Sequence, residues 1–308
     1  MNISITFRSA PLTRALASLL LCAAAVAFSS ASANAAAQIF VTNYFGDNLG
    51  DYTTTGTTVN SSLVSGLNYP RGVAIGGENI FVVNAGAGTI GKYNLDGSAV
   101  NASLITGLVG PFGIAISGTD LYVVNPGNGT VGKYTTSGDV VNASLISGLS
   151  ATPIGIAVFG SSLFVASNAN GTIGEYTILG ATVNASLFTI PGEPVGITAF
   201  GSSLFVTNGG AICEYSLIGG TVNASLVTGL FAAQGIAAFE GNLYVAEAGA
   251  GRVSVYTTSG ATVNSSLITG LNVPSGIAVG NPVPELSTWA MLAAGTASLL
   301  GFRRRVRG

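Results

Sequence analysis

Gly72-Val-Ala-Ile75, Asn79-Ile-Phe-Val-Val-Asn84, Thr89-Ile-Gly-Lys-Tyr93 and Ala102-Ser-Leu-Ile105 follow one another within a single stretch of the chain. Each run is rich in β-branched or aromatic residues. They are separated by Gly76-Gly77, by Ala-Gly-Ala-Gly at 85–88 and by Asp96-Gly97. Short apolar runs bounded by such residues predict strands joined by tight turns. The stretch therefore reads as four strands, A to D.

The same stretch recurs along the chain. Tyrosines stand at 52, 93, 134, 176, 215 and 256, at spacings of 41, 41, 42, 39 and 41. A Val-Asn-(Ala/Ser)-Ser-Leu element repeats at Asn60, Asn101, Asn142, Asn184, Asn223 and Asn264, and a strand A glycine at Gly72, Gly113, Gly155, Gly196, Gly235 and Gly276. Repeats of this length mark propellers or helical solenoids, and no 3.6-residue apolar pattern is present to support helices. A lone four-stranded sheet, apolar on both faces, needs a partner on each. Radial stacking of six supplies them and leaves only short edges. The expected fold is all-β, a six-bladed propeller of four-stranded antiparallel blades over residues 38–280. Its phase is informative: the body opens on a strand B, Gln38-Ile-Phe-Val-Thr-Asn43, and closes on a strand A, Gly276-Ile-Ala-Val279. One mixed blade should unite them and close the ring.

The pattern Pro-x-Gly-(Ile/Val)-Ala, then Leu/Ile-(Tyr/Phe)-Val-x-Asn, then Gly-x-Gly-Thr-(Ile/Val)-Gly-x-Tyr resembles the NHL repeat. Its prolines are Pro70, Pro111, Pro153, Pro194 and Pro274, with Ala233 at the remaining position. The resemblance implies that strand A lines a central channel.

Both ends read as addresses. Residues 1–37 carry Arg8 and Arg14, an apolar run from Ala15 to Phe28 and a small-residue stretch. This is the layout of a secretory leader, with cleavage after Ala33, Ala35 or Ala37. Residues 281–308 hold Val283-Pro284-Glu285, then Ser287-Thr288-Trp289, an uncharged run from Leu286 to Phe302, and Arg303, Arg304 and Arg305. The run is at the short limit for a membrane span, with its arginines staying cytoplasmic. This tail resembles the PEP-CTERM sorting signal, with Leu286 where the second proline of the box would stand. The resemblance implies an exosortase-type processing enzyme as partner, a transient membrane anchor, and delivery to the surface or matrix of an exopolysaccharide-making bacterium.

Between the ends, Arg71, Lys92, Lys133 and Arg252 face eleven acids, a net charge of −7. Such a body has no footprint for nucleic acid, and membrane contact is expected only through the tail. The chain has no histidine, which excludes Ser-His and Cys-His nucleophiles and histidine metal sites. No strand A element carries an acid, so the channel offers no oxygen set for a hard cation, and no cofactor or catalytic residue is expected. Cys213 takes a slot filled elsewhere by Gly91, Gly132, Gly174 and Ser254, as a buried, inert thiol does.

One polar ring stands out: Asn43, Asn84, Asn125, Ser167, Asn208 and Glu247, ending successive B strands. Gathered at a channel mouth, these side chains would bind a sugar or a weak cation; alternatively, asparagine at a strand end bonds its own turn. The six Asn-x-Ser sites match a glycosylation pattern, and they equally fit a structural role recurring at one slot. The favoured reading is a non-enzymatic exported surface or matrix propeller contacting exopolysaccharide or surface proteins. A lactonase-like or lyase-like enzyme is the alternative, and ice binding is a third, drawn from the tail type and the pairs Thr53-Thr54, Thr135-Thr136 and Thr257-Thr258.

Overall fold

The computed structural model describes residues 37–149 and 152–281. The sorting-tail residues from Val283 to Arg305 and the cleavage positions Ala33 and Ala35 lie outside the described residues, while Ala37 directly precedes the first strand. Among the described residues no helix is long and apolar enough to cross a membrane.

The chain forms four four-stranded antiparallel sheets and one seven-stranded sheet. In the larger sheet the strand Thr221–Phe239 serves twice. Its first part pairs with Gly209–Ser216 through Tyr215↔Thr221 and Ile212↔Val227, and its second with Asn242–Glu247 through Ile236↔Val245 and Phe239↔Asn242. It is strand D of one blade continuing into strand A of the next, so the seven strands make two blades and the ring has six. The run-on has a chemical cause. Where five repeats have a proline, which lacks an N–H and interrupts a ladder, this one has Ala233, which pairs with both Gly209 and Glu247.

The mixed blade forms as the repeat phase requires. Gln38–Asn43 pairs with Pro274–Gly280 through Gln38↔Gly280, Phe40↔Ala278 and Asn43↔Pro274, and Asn48–Thr53 and Thr58–Ser65 complete the sheet. We number it blade one. Blades two to five begin at Pro70, near Phe112, at Pro153 and near Ile197, and blade six takes the second half of the shared strand.

The core is divided among the blade interfaces. Six buried clusters lie between neighbouring blades, and one, uniting Ile39, Val41 and Tyr52 with Tyr244, Val253 and Ile268, joins blade six to blade one. The single aromatic of each strand B, Phe40, Phe81, Tyr122, Phe164, Phe205 and Tyr244, is at most 4% exposed. Full burial of one such side chain stabilises by about 2–3 kcal/mol. Each conserved-pattern tyrosine also has a packing reason: Tyr93 lies over Gly91 on its own strand, where a Cβ would meet the ring 2.6 Å away. Cys213 occupies that slot in blade five, buried, its thiol donating to the Ala224 carbonyl at 3.0 Å.

The asparagine of the Val-Asn-(Ala/Ser)-Ser element is explained by strand D geometry. In all six copies its Oδ1 accepts the N–H of the serine two residues on, at 2.9–3.1 Å. The ladder slips at that point, from Ile90↔Ile105 to Lys92↔Asn101 in blade two, and the side chain closes the bulge.

Around the channel, each strand A glycine lies against the carbonyl of the residue preceding the next blade's glycine. A Cβ on Gly235 would stand 2.6 Å from the Ser275 oxygen, and Gly72 donates its N–H to the Phe112 oxygen at 3.0 Å. Overpacking of this kind costs about 1–3 kcal/mol. Gly235→Ala should therefore lower stability in thermal or denaturant unfolding by about 2 kcal/mol. Gly210→Ala, where nothing lies within 4 Å, should change it by less than about 0.5 kcal/mol.

Candidate functional site

Strand A of every blade starts at one end of the propeller, here called the upper face, beside the end of strand B: Pro70 pairs with Asn84 and Pro153 with Ser167. The channel opens on this face into a cavity of about 80 Å³, lined by three residues from each blade, x-Gly-(Val/Ile). The variable x residues in blade order are Ser275, Arg71, Phe112, Ile154, Val195 and Gln234. Gln234, Ser275 and Arg71 are consecutive around the ring, as are Phe112, Ile154 and Val195. The mouth is therefore polar on one half of its circumference and apolar on the other.

Arg71 is the charged member of the polar half and stands at its boundary with Phe112. Its guanidinium carbon stands 3.9 Å from the Tyr44 ring centroid and 4.6 Å from that of Phe112. Such stacking is attractive, more so when water is partly excluded. Burial pulls the Arg71 group below its usual value and the Tyr44 hydroxyl opposes this; a guanidinium remains charged regardless. Tyr44 in turn stacks on Tyr69 at 5.0 Å, and Phe45 meets Tyr44 edge-on at 4.9 Å. Phe45 and Tyr69 are 60% and 45% exposed, so an aromatic surface leads from solvent to the channel.

The platform is held from beneath. Tyr69 has a left-handed backbone, φ 49°, which costs a bulky residue about 1 kcal/mol or more. Its N–H donates to Asp47 Oδ1 at 3.0 Å, and its carbonyl accepts from Ala85. Asp47 also accepts the Leu67 N–H on its backbone oxygen. The loop carrying Tyr44 is fixed by its own N–H to the Val273 oxygen at 3.0 Å.

The expected asparagine ring lies elsewhere. None of Asn43, Asn84, Asn125, Ser167, Asn208 and Glu247 lines the channel-mouth cavity. They sit one strand further out, all but Asn208 fully buried, because strand B is the second strand of a radial sheet. Asn43 donates to Asn48 and accepts the Asn272 N–H; Asn208 donates to the Pro191 carbonyl and accepts the Ala211 N–H. The Asn84 side chain faces the Tyr93 hydroxyl. The Asn84 and Asn125 Oδ1 atoms are buried without a hydrogen-bond partner.

Glu247 belongs to a closed network. Arg252 grips it through Nε and Nη2, both at 3.0 Å, Ser254 donates its hydroxyl, and the Phe231 N–H donates at 2.9 Å. Burial pushes the carboxyl upward, but these donors outweigh it and hold it below the usual glutamate value. The network braces the middle of the shared strand at Phe231, which is 59% exposed with its ring 5.8 Å from the Arg252 guanidinium. The other acids are also used separately: Asp47 supports Tyr69, while Asp51 is buried in blade one. Among the described residues no three His, Cys, Asp or Glu side chains come together as a metal site.

No family model and no curated protein matches the sequence. Solved structures do. A chain of the nidogen/laminin complex superposes with a TM-score of 0.68 at 14% identity, over 80% of this chain and 99% of that one. A streptogramin B lyase gives 0.60 at 20% identity over 78% and 82%. A catalytically inactive histidine-to-alanine virginiamycin B lyase from Staphylococcus aureus, solved with quinupristin, gives 0.57 at 19% over 76% and 86%. At these identities the likeness is one of fold.

Asp51 supplies a pH test. It is 2% exposed, its Oδ2 accepts from Gln38 Nε2 at 2.9 Å, and Oδ1 has no partner. Burial raises its pKa from 3.8 to about 6. The native chain therefore holds this proton to higher pH than the unfolded chain, and the charged form destabilises the fold above about pH 6, an effect that fades towards pH 4. Asp51→Asn should stabilise the protein by about 2 kcal/mol at pH 7.5. The gain should shrink towards zero at pH 4 in urea unfolding curves.

Proposed function

We propose that this chain is an exported, non-enzymatic NHL-type propeller, sorted through an exosortase-type tail, that holds exopolysaccharide on its upper face. The observation that carries the reading is the Tyr44, Phe45 and Tyr69 surface, since no other blade has an aromatic residue at any of these three slots. At the slot of Phe45 stand Gly86, Gly127, Ala169, Gly210 and Gly249. Exposed aromatic groups favour a contact role, because packing gains little from them.

Two further observations support it. Gln38 and Gly280 pair with each other at the end of blade one away from the channel mouth, so a tail anchored after Asn281 would turn the upper face away from the membrane. The lyase relative is inactivated by replacement of one histidine, and this chain has none, which favours binding over lyase chemistry.

The full chain, purified from its host, should be retained on the host's own exopolysaccharide. Tyr44→Ala combined with Tyr69→Ala should weaken retention by about tenfold, as loss of aromatic contacts at a binding hot spot does. Passage of the unaltered chain straight through the column would exclude the reading.

A further inference from the structure

Of the four cations between residues 38 and 280, Lys133 pairs with Asp120 at 2.7 Å and Arg252 with Glu247. Lys92 donates to the Thr136 carbonyl of the neighbouring blade at 3.1 Å. Arg71 makes no ion pair among the described residues, in a body with eleven acids available to pair with it. It stands instead at the channel mouth.

The geometry restricts what Arg71 can take. Tyr44 and Phe112 lie close to the guanidinium, while its N–H donors lie in the plane of the group in a fork that matches a carboxylate. Gln234 and Ser275, the latter 4% exposed, line the same arc of the mouth. The mouth cavity of about 80 Å³ shares Ile114, Ile156, Ile197, Ile236 and Ile277 with a second space of about 240 Å³ whose lining carries no charged group, so an acid group is held at the mouth itself. The mouth is a socket for one substituent, with the rest of the ligand lying outside, where Tyr44, Tyr69 and Phe45 form the exposed surface.

We propose that the channel mouth is a carboxylate subsite: Arg71, with Ser275 beside it and Gln234 one blade beyond, receives the acid group of a uronic-acid residue while the aromatic surface carries the adjoining sugar. This rests on the polysaccharide reading above and specifies the sugar class. A neutral hydroxyl would be served by Gln234 and Ser275 alone, whereas the unpaired cation is matched by a charged partner. The acidic body opposes this weakly, because charges beyond about 8 Å are screened at physiological salt and the contact with Arg71 is direct.

The test uses the full chain with tri-galacturonate and with its methyl ester, which keeps the sugars and removes the charge. The unaltered chain should bind the acid at least about tenfold more tightly than the ester, the range of a charge-assisted hydrogen bond. Arg71→Gln should bring the ratio to about one; Arg71→Lys should retain part of the preference. A melting curve for each variant establishes that it is folded. Equal affinity for acid and ester in the unaltered chain, or a preference that survives Arg71→Gln, would overturn the subsite. If the chain is retained on host exopolysaccharide but shows no acid preference, the subsite alone falls; binding to neither probe and no retention removes both readings.

Discussion

The contact between each strand A glycine and the next blade's carbonyl sets the width of the channel, and the rest of the molecule follows from it. Six such contacts bring the inner strands close enough for the six apolar layers to fill the wedges between blades. The last, Gly276 against the Arg71 carbonyl, joins blade one to blade two, with Thr42 bonding both sides. A side chain at any of these positions would push two blades apart at their narrowest point. The same contact presents the residue before each glycine to the channel opening, so the closure that stabilises the ring also displays the variable ring at its mouth.

The fold was legible because repetition reports it many times over. Strand order, six-fold count and the mixed blade all follow from spacing and phase, and the pairing of Gln38–Asn43 with Pro274–Gly280 matches that reading. The fusion of two strands at 221–239 was signalled by Ala233, the one repeat without proline, because proline alone removes the N–H that lets the ladder continue.

The site was less legible, for a definable reason. Asn43, Asn84, Asn125, Asn208 and Glu247 drew attention as a polar ring, but polarity at a strand end does not say how far from the axis the strand lies. Strand B is one step out, so its end groups are buried in the sheet: those of Asn43 and Asn208 bond nearby turns, and Asn84 and Asn125 keep an unbonded Oδ1. The informative position was the x of Pro-x-Gly, where Arg71, Phe112, Ile154, Val195, Gln234 and Ser275 differ within an otherwise constant element. Glu247, Arg252 and Ser254 carried a similar signal: three departures in one repeat form one network, and none is free to bind. The Tyr44-Phe45 pair was visible as a break from small residues, although its stacking with Tyr69 and Arg71 depends on two loops from different blades.

A crystal structure of the chain with tri-galacturonate bound addresses the central claim most directly. The account predicts one carboxylate on the in-plane edge of the Arg71 guanidinium at the channel mouth, with the next sugar over Tyr44 and Tyr69. A trisaccharide seated on another face, with Arg71 making no contact to it, would contradict the account.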